Sequence, residues 1–208
     1  AGSLNFNDAL QLIFERGKSM QQAVPVGKGS MLAVLNTKIE DINKCITELK
    51  NKGVCEIAND NAEGQIIVSG NTESIEELKI NLKENKKKSI TLPVSAPFHC
   101  SLMNPAAVKM KEKIDNINFK KPEYEIISNV TSLPTNNPID IKNLLVQQIY
   151  SKVRWRESIL FMGGEKINDF IEIGPGKVLT GLVKRILPSS NSFNINSIND
   201  IKNLNNES

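Results

Sequence analysis

Between Met31 and Val94 the hydrophobic pattern switches repeatedly between strand and helix periods, and that order restricts the folds open to the chain. Met31–Asn36 reads as a strand, and Ile39–Asn51 as a helix with Ile42, Ile46 and Leu49 on one face. Val54–Ala58 and Gln65–Ser69 read as two strands, joined by the turn-rich stretch from Asn59 to Gly64. Ser74 and Glu77 have capping-box spacing, and Thr72 is a second candidate N-cap. The helix they open carries Ile75, Leu78 and Leu82 and runs to about Asn85. Ser89–Val94 closes the series as a strand. The order is β-α-β-β-α-β.

Such an order is that of a ferredoxin-like unit. Periodic segments on either side suggest that it is inserted into something larger. Ahead of it, Asn7 is a candidate N-cap for a helix from Asp8 to Gln22, with Leu10, Ile13, Phe14 and Met20 at helical spacing. Gly17 inside that helix costs roughly 1 kcal/mol against alanine, which calls for a packing reason. Behind it come a helix from Pro105 to Ile117, a strand at Glu125–Ser128, and helices over Ile141–Tyr150 and Arg156–Gly164. Asp169–Ile173 reads as a strand and Val178–Leu187 as a helix. Helices alternating with short apolar strands predict a parallel α/β layer. The expected division is a large subdomain over 1–30 and 93–190, a small one over 31–92, and a polar, poorly packed tail over 191–208.

Composition narrows the function classes. A net charge of +3 gives no argument for a polyanionic partner. The two central strands of the ferredoxin-like unit carry no aromatic residue on which a base would stack, which counts against an RNA-binding module. A non-enzymatic ferredoxin-like binding module is therefore the remote alternative. No apolar run is long enough to span a bilayer, and Ala1–Phe6 lacks the features of a signal peptide. Cys45, Cys55 and Cys100 form an odd set without metal-ligand spacing, which fits free thiols in a reducing, cytoplasmic setting. With one histidine and no carboxylate cluster, neither a metal nor another cofactor is expected.

That histidine, His99, lies in Pro93-Val94-Ser95-Ala96-Pro97-Phe98-His99-Cys100. Two prolines stiffen the approach, and helical spacing follows at Leu102, Ala106, Met110 and Ile114. The segment suits a rigid delivery of a general base, and it equally suits a plain strand-to-helix loop with a surface histidine. A base needs a nucleophile, yet no Gly-x-Ser-x-Gly elbow occurs. Cys100 is the rival, although sequential neighbours usually point apart. Gly174-Pro175-Gly176-Lys177 lacks full phosphate-loop spacing and reads better as a strand-to-helix turn. Arg16, one of four arginines, suits a bidentate carboxylate contact or a solvated helix face.

Several of these segments together resemble a known family. Glu15-Arg16-Gly17-Lys18-Ser19-Met20-Gln21, the Pro93–Cys100 segment, Ser128-Asn129-Val130, Gln148-Ile149-Tyr150, Val153-Arg154-Trp155 and Glu172-Ile173-Gly174-Pro175-Gly176-Lys177-Val178-Leu179 occur in the order found in the bacterial malonyl-coenzyme A:acyl carrier protein transacylases of fatty-acid synthesis. The resemblance covers Ala1 to about Leu187. It implies an α/β-hydrolase-like large subdomain with the ferredoxin-like subdomain inserted. It implies transfer of malonyl from malonyl-CoA to the phosphopantetheine thiol of acyl carrier protein through an acylated serine. His99 would be general base and acid, and the main-chain carbonyl of Gln148 would orient it. Arg16 would hold the malonyl carboxylate. Met20, Asn59 and Asn61 would line or border the acyl site. Phe98 favours malonyl over the branched groups taken by some related polyketide acyltransferases, which are the alternative reading. The family's Gly-His-Ser-x-Gly nucleophile falls upstream of Ala1. The chain is thus expected to be a C-terminal portion, partial in its large subdomain, inactive alone and a monomer when complete.

Overall fold

The computed structural model describes residues 1–206, with side chains to residue 202. It is a mixed α/β chain of two compact units, Ala1–Trp155 and Arg156–Ser208. The expected boundaries at 30/31 and 92/93 both fall inside the first unit.

The first helix, α1 (Phe6–Gln22), begins one turn-fraction earlier than the sequence reading places it. Asn5 rather than Asn7 is its N-cap, and the Asn5 side chain accepts from the Asp8 N–H at 2.8 Å. Its buried stripe is Leu12, Ser19 and Met20. Phe6, Leu10, Ile13 and Phe14 lie outside that stripe and are 78%, 55%, 69% and 67% exposed. The helix therefore carries two apolar stripes, and the spacing seen in the sequence belongs mostly to the outer one. Gly17 is exposed, and an added Cβ would meet nothing within 4 Å, so no packing reason for it exists among the described residues.

Next come β1 (Gly29–Leu35), α2 (Ile39–Thr47), β2 (Cys55–Ala62), β3 (Gln65–Asn71), α3 (Thr72–Glu84) and β4 (Lys88–Thr91). The four strands form one antiparallel sheet in the order β2-β3-β1-β4. Leu32, Val34, Ile66 and Val68 point to one face and pack with Ile42, Ile75, Leu78 and Leu82 of the two helices. Met31, Ala33, Ala58 and Ile67 cover the other face, against Leu92 and Phe98. Both faces being buried explains the unbroken apolar run Met31–Val34. The expected capping box is absent: Asn71 is the N-cap of α3, and Glu77 instead accepts from the N–H groups of Lys50 and Asn51.

A 3₁₀ turn (Ser101–Met103) leads from the histidine segment into α4 (Asn104–Asp115). A small hairpin follows, β5 (Ile126–Ile127) with β6 (Pro134–Thr135), and then α5 (Pro138–Gln147). Helices α1, α4 and α5 share a core of Leu12, Met20, Met103, Ala106, Met110, Ile114, Ile141 and Ile149.

Trp155 opens α6 (Trp155–Gly164). The second unit then has β7 (Asp169–Ile173), α7 (Val178–Ile186), β8 (Asn191–Ile195) and α8 (Ile198–Asn206). Strands β7 and β8 pair in parallel through the α7 crossover. They are the one parallel sheet pair among the described residues, so the expected parallel layer is present only there. The polar tail expected over 191–208 is corrected by the same pairing, because backbone hydrogen bonds to β7 order a segment whose side chains are mostly Asn and Ser. Residues 207 and 208 lie outside the described range.

Candidate active site

Helical geometry places Arg16 on the inner stripe of α1, four residues after Leu12 and four before Met20. Its guanidinium is half-buried, and burial lowers its pKa from the ordinary value. Beside it lies an apolar cavity of about 190 Å³ lined by Leu12, Arg16, Met110, Ile114, Gln148 and Ile149.

Gln148 caps the C-terminus of α5. Carbonyls in a helix's last turn have no intrahelical donor, so they are available to other groups. The Gln148 carbonyl lies 3.0 Å from Nδ1 of His99. A carbonyl only accepts, so Nδ1 carries the proton and donates it there. Nε2 of the neutral ring is then the lone-pair nitrogen, fit to take a proton from another group. Burial holds the imidazole below its ordinary pKa of 6.5; the nearby Arg16 charge acts in the same direction, and the bond to Gln148 opposes both. The net effect is to favour the neutral ring.

The histidine sits at φ 59, a left-handed conformation that L-residues with a Cβ adopt at a cost. Its segment lies across the start of β1 where Gly29 has no side chain; a Cβ there would come within 2.3 Å of the Pro97 ring. Phe98 packs against both the α1/α4/α5 core and the second face of the sheet.

The structure thus joins His99, Gln148 and Arg16, and buries Met20 in the core shared by α1, α4 and α5. Asn59 and Asn61 are not in a hairpin loop. They lie on β2, which extends to Ala62 with two register irregularities. Asn59 bridges to Val153, and the Asp60 N–H donates to the Val153 carbonyl at 2.9 Å. Cys100 is fully buried, donates to the Pro97 carbonyl at 3.2 Å, and has its thiol pushed upward in pKa by burial. Cys55 is pushed up to about 12 by the same cause. Neither thiol is disposed to be a thiolate nucleophile. Gly174–Lys177 forms a strand-to-helix turn with Gly174 and Gly176 at positive φ. The Glu172 carboxylate already caps the helix behind it, accepting from the N–H groups of Leu179 and Thr180. Glu56 and Ser101 escaped the sequence reading. Glu56 on β2 accepts from both the N–H and the hydroxyl of Ser101, a pairing of residues 45 apart that no local pattern announces.

The mixed α/β chain thus brings one carbonyl-held imidazole beside a half-buried guanidinium. Residues 1–204 match the acyl transferase domain family. The chain belongs to that family. It is 43% identical over 188 residues to the malonyl CoA-acyl carrier protein transacylase of Bacillus subtilis, an alignment covering 89% of this chain and 59% of that protein. The crystal structure of an acyl carrier protein S-malonyltransferase from Vibrio cholerae superposes with a TM-score of 0.94 at 36% identity, over 98% of this chain and 67% of that one. A malonyl-transacylase structure in complex with a type II polyketide-synthase acyl-carrier protein gives 0.95 at 33% identity, over 100% of this chain and 66% of that one. The chain spans less than two thirds of the length of the Bacillus relative.

Proposed function

We propose that this chain supplies the general base and the acyl-carboxylate clamp of a malonyl-CoA:acyl carrier protein S-malonyltransferase. The single observation that carries the reading is the His99 Nδ1 bond to the Gln148 carbonyl beside Arg16, on a chain whose family is acyl transfer. In this reading residues 1–30 and 93–190 belong to an α/β-hydrolase-like large subdomain, and 31–92 to an inserted ferredoxin-like one. The observed β-α-β-β-α-β order and the β2-β3-β1-β4 sheet support the second assignment.

The nucleophile in the proposal is a serine outside these 208 residues, which contain no Gly-x-Ser-x-Gly. Nε2 of His99 takes the serine proton as Oγ attacks the thioester carbonyl of malonyl-CoA. The carbon–sulfur bond breaks, and the imidazolium returns the proton to the leaving thiolate. In the second half the phosphopantetheine thiol gives its proton to His99 and attacks the malonyl ester, and serine leaves with that proton. The Gln148 carbonyl, at the negative end of α5, favours the imidazolium formed in each half. Arg16 pairs with the free carboxylate of malonyl, while Met20, Phe98, Asn59 and Asn61 border the acyl group. The partners are then malonyl-CoA and acyl carrier protein, in the cytoplasm. A buried carboxylate needs a paired cation, and a guanidinium fork meets both oxygens where lysine meets one.

The test uses the protein extended to the length of its relatives. Arg16→Ala should cost malonyl transfer about 2–5 kcal/mol, the range for breaking a buried charge pair. The ratio of kcat/KM for malonyl over acetyl should fall with it, and Arg16→Lys should recover only part. Equal losses for both substrates would make Arg16 structural and defeat the clamp assignment.

A further inference from the structure

The backbone of His99 is held in a conformation it would not adopt unaided, and the groups that hold it come largely from the four-stranded sheet. Three sheet contacts act on residues 97–101. Gly29 of β1 lies under the Pro97 ring, the Ser69 hydroxyl of β3 donates to Sγ of Cys100 at 3.6 Å, and Glu56 of β2 grips Ser101. The last is the strongest in chemistry. One carboxylate accepts twice from one residue, the Ser101 N–H at 3.0 Å and its hydroxyl at 2.5 Å, and both bonds are partly buried. Charge-assisted bonds are shorter and stronger than neutral ones. Ser101 also starts the 3₁₀ turn that enters α4, so the carboxylate fixes the chain two residues beyond the left-handed His99 while Gln148 fixes the ring.

We propose that Glu56 is a positioning residue for His99: its two-point grip on Ser101 sets the left-handed backbone that delivers the imidazole to the Gln148 carbonyl. Its importance for transfer rests on the functional reading above, but the grip itself is testable without any transfer. The groups facing the imidazole are Arg16 from α1 and the Gln148 carbonyl from α5, with Cys100 next in the chain and Glu56 reaching its segment from β2. Loss of position and loss of charge then have opposite signatures. An imidazole released toward water, away from Arg16, titrates higher, toward 6.5. Removing a negative charge with the position kept would move the titration lower.

His99 is the only histidine, so its imidazole proton resonances in the 208-residue chain, prepared without added histidines, report it alone. Glu56→Ala should raise its titration midpoint and broaden or split the resonance. Glu56→Gln keeps one acceptor oxygen for the Ser101 N–H and turns an amide N–H toward the Ser101 hydroxyl, a two-point contact without charge, and should leave the midpoint at or below the parent value. Ser101→Ala keeps the N–H half of the grip and should give a smaller rise. An unchanged or lowered midpoint in Glu56→Ala overturns the proposal, and so does a Glu56→Gln rise as large as that of Glu56→Ala. Should Glu56→Ala fail to fold, an unchanged midpoint in Ser101→Ala overturns it instead. Absence of malonyl transfer in the extended protein would remove the functional reading while leaving this titration result intact.

Discussion

The His99 imidazole couples the site to stability. Its folded pKa lies below the ordinary 6.5, so the unfolded chain binds the proton more readily. The stabilisation from keeping this ring neutral is present above 6.5 and is lost as pH falls through the folded value. Urea unfolding at a series of pH values should therefore show stability decreasing from about pH 7 toward pH 5, where carboxylates have yet to titrate appreciably. His99→Gln should flatten that slope. A slope unaffected by the substitution would mean that the folded and unfolded imidazoles titrate alike, contrary to the burial and Arg16 proximity described above.

Among the elements, the sheet and its two helices are joined by an apolar core of their own. Leu78 of α3 is fully buried against the sheet, whereas Ile80, two residues on, is 59% exposed. Leu78→Ala should cost about 2–5 kcal/mol and Ile80→Ala far less, read as the shift in denaturant midpoint. Similar losses at both positions would mean that the helix face is assigned wrongly. This region is also the most legible from sequence, because strand and helix periods alternate there and most of the buried side chains are apolar. The misread parts have physical causes. Asn59–Ala62 looked like a loop from its Asn and Asp content, but pairing with β3 supplies ladder bonds that outweigh local preference. The strand at Asn191–Ile195 was hidden in the same way by its polar side chains. On α1 the outer stripe of Phe6, Leu10, Ile13 and Phe14 is more apolar than the inner one, so periodicity found a face without showing which way it points.

At the scale of the whole molecule, the site draws on distant stretches of chain: Arg16 from the first helix, His99 from the segment after the sheet, and Gln148 from the end of α5. A unique histidine just after two prolines is visible in the sequence. The carbonyl that orients it was reached only through the family resemblance, since which backbone group is orphaned depends on where a helix ends. Glu56 and its grip on Ser101 were invisible, because nothing local links two residues 45 apart. The central claim is that this imidazole moves the proton in both half-reactions of malonyl transfer. The most direct test is transfer of labelled malonyl from coenzyme A to acyl carrier protein by the protein extended to the length of its relatives, with and without His99→Ala. The account predicts a loss of about 10²–10⁴-fold in kcat/KM for the variant. It also predicts negligible transfer by the 208-residue chain on its own. Near-parent transfer by His99→Ala would contradict the assignment of His99 as the base.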